Sequence, residues 1–118
     1  MNALIVDDQF PLALMYMEYM KEKNIESTYA KNGKVAADML QNYRPDFILS
    51  DIQMPVMDGF RLYNIASGQY NIPTFLFTAS SEIDIYQRRN PTIIIFSKSM
   101  YEDEINETID NIVNKINI

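Results

Sequence analysis

The chain has 118 residues, 47% of them hydrophobic, which suits one folded domain over residues 1–118 with its own core. Ten Lys and Arg face 16 Asp and Glu, so the net charge of -6 disfavours a polyanion such as nucleic acid. Cysteine and histidine are both absent, which removes disulfides, Cys/His zinc sites, cysteine nucleophiles and histidine-based triads, and leaves carboxylate, hydroxyl and lysine chemistry.

The first apolar run, Ala3 to Val6, is too short for a signal peptide or a membrane span and is followed by acid. A cytoplasmic protein with no membrane contact is expected. Unalternated runs recur at Phe47 to Leu49, Thr74 to Phe77 and Ile93 to Phe96, the pattern of strands buried on both faces. Ile25 to Tyr29 puts Ile25, Ser27 and Tyr29 on one side and Glu26 and Thr28 on the other, which predicts a half-exposed edge strand.

Helical patterns lie between these runs. Phe10, Leu14, Met17 and Lys21 mark a helix over roughly 10–23, with Pro11 suited to its first turn. Val35, Ala36, Met39, Leu40 and Tyr43 mark a second, between Asn32-Gly33 and Pro45, and Phe60, Tyr63 and Ala66 a third, before Gly68. Ser81 to Arg89 has two readings: Ile83 and Ile85 alternate as in a strand, whereas Ser81 and Asp84 have the spacing of a helix cap. The last helix is the clearest, with Tyr101, Ile105, Ile109, Ile112 and Ile116 on one stripe. Strand and helix alternating five times specify an α/β fold, a doubly wound five-stranded parallel sheet with helices on both faces.

Ligands of such sheets sit at the carboxyl ends of the strands. Those positions hold Asp7 and Asp8, Asp51, Thr78 and Lys98. Each also has an ordinary structural role: Asp7 and Asp8 as caps of the first helix, Asp51 as a loop acid, Thr78 as a cap and Lys98 as a solvated lysine. Taken together, three carboxylates on one crevice call for a hard cation with oxygen ligands, and Mg²⁺ is the expected ion. With Lys98 as a further positive charge, a phosphoryl group can be transferred in line to one carboxylate oxygen.

Val6-Asp7-Asp8, the block from Asp51 to Gly59 (Asp-Ile-Gln-Met-Pro-Val-Met-Asp-Gly), Thr78-Ala79 and Lys98 resemble, in order, the signature blocks of response-regulator receiver domains. The resemblance implies a flavodoxin-like sheet of order 2-1-3-4-5. It implies Asp51 as phospho-acceptor, Asp8 and Asp51 as side-chain metal ligands, Asp7 as a ligand through water, and the backbone carbonyl of Gln53 as another ligand. Thr78 takes the place of the switch hydroxyl and Lys98 that of the phosphoryl-binding lysine. Pro55 and Gly59 shape the loop that presents Asp51, the glycine by allowing backbone conformations that a side chain forbids.

The chain departs from the family pattern in four places. Ser99 follows Lys98 where proline is usual, so a cis bond there is disfavoured and the lysine loop takes a different shape. Ile95 stands where the family often has the aromatic residue of its switch, with Phe96 on the opposite strand face. The stretch from Thr78 to Lys98 is short, which curtails the fourth helix, and it ends in Asn90-Pro91 without the usual Gly-Ala.

The expected function is a two-component signalling switch. A histidine kinase or phosphotransfer protein donates the phosphoryl group, and the domain assists its own phosphorylation and dephosphorylation without being an enzyme on another substrate. Thr78 moves inward, and a downstream protein target reads the surface around the fourth helix and fifth strand. No DNA-binding or catalytic segment follows the last helix in this sequence, so output is expected through protein contact, with a piece of a longer regulator as the equal alternative. The main alternative is a phosphorylation-independent interaction module. An aspartyl phosphatase would want an acid where Gln53 stands, and a flavin carrier would want a glycine- or hydroxyl-rich loop where Asp7 and Asp8 stand.

Overall fold

A computed structural model describes residues 1–117; Ile118, the last position of the expected 1–118 unit, lies outside the described residues. The elements in chain order are β1 (Asn2–Val6), α1 (Phe10–Glu22), β2 (Glu26–Ala30), α2 (Gly33–Met39), β3 (Phe47–Asp51), α3 (Gly59–Gln69), β4 (Thr74–Thr78), α4 (Ile83–Arg89), β5 (Ile95–Ser97) and α5 (Glu102–Ile116). All strand pairs are parallel and the sheet order is β2-β1-β3-β4-β5, the order that the sequence resemblance implies.

Because side chains alternate across a strand, each central strand feeds two cores. On one face Ala3, Ile5, Phe47, Leu49, Phe75 and Phe77 pack against Tyr16 and Met20 of α1 and Ile105, Ile109 and Ile112 of α5. On the other, Leu4, Val6 and Ile48 meet Ala36 of α2, Leu40 just after it, and Leu62 and Ala66 of α3. A third, smaller cluster of Ile52, Leu76 and Ile93 lies under Phe60, Tyr63, Tyr86 and Ile95. The edge strand β2 is half exposed, as its alternation predicts.

The buried face of α1 is not the expected one. Phe10 and Leu14 are 46% and 38% exposed, while Ala13, Tyr16 and Met20 are fully buried. Apolar residues surround this helix, so two stripes satisfy the 3.6-residue period and the period alone does not choose between them. In α5 the stripe is buried from Ile105 to Ile112 and half-buried at Ile116; Tyr101 is the N-cap residue and points to solvent.

Between β4 and β5 the helical reading of residues 81–89 is the correct one, with a boundary at Glu82 and not at Ser81. The helix has only seven residues, none of them buried and none capped by a side chain. Asp84 in its first turn and Arg88 and Arg89 in its last suit the helix dipole. The Asn90-Pro91 connection is tied back by Gln87, whose amide donates to the Asn90 and Ile93 carbonyls at 3.0 and 2.7 Å. β5 is shorter than expected at three residues, and Ile95 and Phe96 do lie on opposite faces, in different clusters.

Candidate phosphoryl-transfer site

Parallel strands in register deliver their carboxyl ends to one edge, which is how residues from four separate segments meet. Asp7 follows β1 and is fully buried, and Asp51 ends β3 with 7% exposure. Thr78 ends β4, also buried, and Lys98 follows β5, held in line by its N–H donating to the Thr78 carbonyl at 2.8 Å. Asp8 is exposed at the mouth. Carboxylate oxygens of Asp7, Asp8 and Asp51 lie within 4.8 Å of one another, so these three acids are brought together as expected.

The lysine is not solvated. Its side chain is 6% exposed, and Nζ lies 2.8 Å from Asp7 Oδ2 and 3.3 Å from Asp51 Oδ2, with the ammonium 4.8 Å from the centre of the Phe77 ring. Burial raises the Asp51 carboxyl from its ordinary 3.8 to about 6; Lys98 opposes the rise and Asp7 adds to it.

Two observations bear on a cation. Three carboxylates outnumber the single ammonium among them, and Lys98, 2.8 Å from the buried Asp7 Oδ2 and 3.3 Å from Asp51 Oδ2, is shared between two of them. Buried carboxylates are costly unless positive charge compensates them, and one shared ammonium leaves the cluster net negative. This all-oxygen cluster suits a hard divalent cation such as Mg²⁺. The capping roles are mostly not realised. Gln9 is the N-cap of α1, Asp7 Oδ1 accepts the Gln9 N–H at 2.9 Å, and Asp8 caps nothing. Thr78 Oγ1 accepts the Ser80 N–H at 3.0 Å, a local turn that precedes α4 without capping it.

The loop after Asp51 is tightly built. The Gly59 N–H donates to the Ile52 carbonyl at 2.8 Å, and a Cβ at Gly59 would collide with the Asp51 carbonyl oxygen. No glycine of the chain has positive φ, so this one is needed for space and not for its dihedral freedom. Positive φ falls instead on Val56, at 74°, the centre of a γ-turn in which the Met57 N–H donates to the Pro55 carbonyl at 2.9 Å. A β-branched residue is strained there.

Three tyrosines belong to the site's supports and were not anticipated. Tyr29 of β2 donates to the Asp7 carbonyl at 2.6 Å and stacks edge-on with Phe10 at 4.8 Å. Tyr86 of α4 accepts a hydrogen bond from the Gln53 side-chain amide at 2.7 Å. Tyr16, fully buried in α1, accepts the Ser99 N–H at 3.0 Å. Only Tyr29 left a trace in sequence, as the aromatic of an alternating strand; nothing in the pattern singles out the other two. The peptide bond before Ser99 is trans, as expected, and Ser99 Oγ accepts the Tyr101 N–H at 3.0 Å at the entry to α5.

The family model described as the response regulator receiver domain matches residues 3–110. Sporulation initiation phosphotransferase F of Bacillus subtilis is 31% identical over 109 residues, covering 90% of this chain and 88% of that protein. Heme response regulator HssR of Staphylococcus epidermidis is 31% identical over 87 residues, and the match covers 74% of this chain and 39% of HssR. Among solved structures, the receiver domain of Francisella response regulator 1452 superposes with a TM-score of 0.79 at 28% identity, covering 98% of this chain and 94% of that one. Chemotaxis response regulator CheY4 of Vibrio cholerae shares the fold, with a TM-score of 0.79 at 23% identity over 94% of this chain and 97% of its own. No helix among the described residues is long and apolar enough to cross a membrane. With the family model spanning 3–110 and the sheet order in agreement, this chain belongs to the response regulator receiver domains of two-component systems.

Proposed function

We propose that this domain is a phosphorylation-controlled switch in which Asp51 accepts a phosphoryl group from a histidine kinase or a phosphotransfer protein. The observation that carries this reading is the buried Asp51 carboxylate, 3.3 Å from Lys98 and clustered with Asp7 and Asp8, three acids to one ammonium. Asp8, Asp51 and the backbone carbonyl of Gln53 would hold Mg²⁺ directly and Asp7 through water. When bound, the cation neutralises charge that builds on the phosphoryl oxygens and makes the transfer possible.

The residues of the chain supply the rest. The donor's N–P bond breaks as an Asp51 oxygen forms the new P–O bond, and the donor nitrogen leaves with the electron pair. Lys98 stabilises the equatorial oxygens as charge develops on them. An acyl phosphate on Asp51 offers Thr78 a new acceptor, and the hydroxyl then leaves the Ser80 N–H to which it now bonds. That turn leads into α4, so the chemistry reaches the α4–β5 surface, where a downstream protein target would read it. Ile95 supplies no aromatic relay, and the Gln53–Tyr86 bond is the direct side-chain link between the Asp51 loop and α4. A cytoplasmic location is part of this reading, since kinases of this class present their phosphohistidine there.

Incubation with Mg²⁺ and a small acyl phosphodonor, followed by intact mass, tests it. A single Mg²⁺-dependent phosphoryl adduct that Asp51→Asn abolishes is the expected result. No adduct under any condition would instead make the domain a phosphorylation-independent interaction module, and an undiminished adduct in Asp51→Asn would move the acceptor elsewhere.

A further inference from the structure

Lys98 sits on a three-residue circuit. Its ammonium lies 4.8 Å from the Phe77 ring centre, the Phe77 ring meets Tyr16 edge-on at 5.0 Å, and Tyr16 Oη accepts the N–H of Ser99, the residue next to Lys98. All of it is buried: Tyr16 and Phe77 fully, and Ser99 at 8% exposure. A proline after the lysine would bring no N–H. Serine brings one into a largely buried place, and a buried amide needs an acceptor. The acceptor comes from a helix 83 residues away in sequence. A hydroxyl on an otherwise apolar helix face has no packing reason to be there, since phenylalanine would fill the same space.

We propose that Tyr16 is a positioning residue for Lys98: its hydroxyl fixes the Lys98–Ser99 peptide, and its ring fixes the Phe77 face on which the ammonium rests. Residue 99 thereby needs no proline, and the lysine loop is held by α1 through a hydrogen bond. The inference rests on Lys98 serving phosphoryl transfer only for its consequence on rate, because the position of the side chain can be read separately.

The test compares wild type with Tyr16→Phe, which keeps the ring and loses only the hydroxyl, and with Met20→Val, which loosens α1 packing about one turn beyond Tyr16. All three are checked for folding by circular dichroism. In ¹³C-labelled protein, the Lys98 Hε/Cε signal, assigned with Lys98→Arg, should lie upfield in wild type because the ammonium rests 4.8 Å from the Phe77 ring centre. It should move toward the position of a free lysine in Tyr16→Phe and stay in place in Met20→Val. Phosphoryl uptake from a small acyl phosphodonor at saturating Mg²⁺ should fall about tenfold in Tyr16→Phe, the scale set by leaving one buried N–H without a partner. The Mg²⁺ concentration for half-maximal uptake should stay within about twofold, because the hydroxyl touches none of the carboxylates and distant sites act independently. An unmoved Lys98 signal in Tyr16→Phe, or an equal movement in Met20→Val, overturns the proposal. If wild type takes up no phosphoryl group at all, the reading of Asp51 fails, and the Lys98 signal alone decides the role of Tyr16.

Discussion

Asp51 is buried at the cost of its own charge, and that sets how the protein responds to pH. Its carboxyl titrates near 6 in the folded chain against 3.8 when burial is removed, so between these values the folded state holds the extra proton. Stability from this group is therefore greatest below about pH 4 and declines as pH rises through about 6, the reverse of a salt-bridged carboxylate. Melting curves without metal should place Asp51→Asn above wild type at pH 7.5, with the gap closing toward pH 4; a gap independent of pH would contradict the burial argument. Mg²⁺ should raise the wild-type melting temperature at pH 7.5 and have little effect on Asp51→Asn. Tyr29→Phe removes the hydroxyl that holds the Asp7 carbonyl, and Mg²⁺ titration should show weaker binding by about 10-fold, the effect of losing an outer-shell partner. Asp7, Asp8, Asp51, Thr78 and Lys98 were legible in sequence because each stands at the end of an apolar run, a position the fold makes meaningful. Tyr16 and Tyr86 were not, because a tyrosine at helical spacing looks the same whether its hydroxyl is idle or bonded to the site.

Among the elements, the turn after β3 carries the tightest constraints. Gly59→Ala drives a methyl group against the Asp51 carbonyl, where backbone and not a flexible side chain must give way. It should lose about 1–3 kcal/mol in denaturant unfolding and slow phosphoryl uptake, because the displaced backbone carries the acceptor. Val56, 80% exposed at φ 74°, makes few contacts to lose, so Val56→Gly should gain stability of about 1 kcal/mol by relieving strain. The strand runs were readable because central parallel strands bury both faces and tolerate no polar interruption. The face of α1 was not, because Phe10, Leu14 and Met17 compete with Ala13, Tyr16 and Met20 for the same period. β5 shortened because its first two expected residues belong to the connection that Gln87 holds.

At the scale of the molecule, order and layering follow from five strand-helix units, whereas the strength of each helix's attachment depends on contacts that no pattern of residues displays. α5 buries Ile105, Ile109 and Ile112 fully, and Ile109→Ala should cost about 2–5 kcal/mol by the cavity it leaves. α4 stands at the other extreme, with seven residues, no fully buried side chain and no side-chain cap. A segment held so weakly detaches without the rest of the chain, so its amides should exchange with deuterium by local opening, orders of magnitude faster than those of β1 and β3, which wait for global unfolding. A small free-energy bias is then enough to redistribute its positions: about 1.4 kcal/mol shifts such an equilibrium tenfold, a fraction of the stability of a domain. The shortness of α4 thus makes this part of the surface inexpensive to rearrange, while the two large cores on either face of the sheet stay as they are.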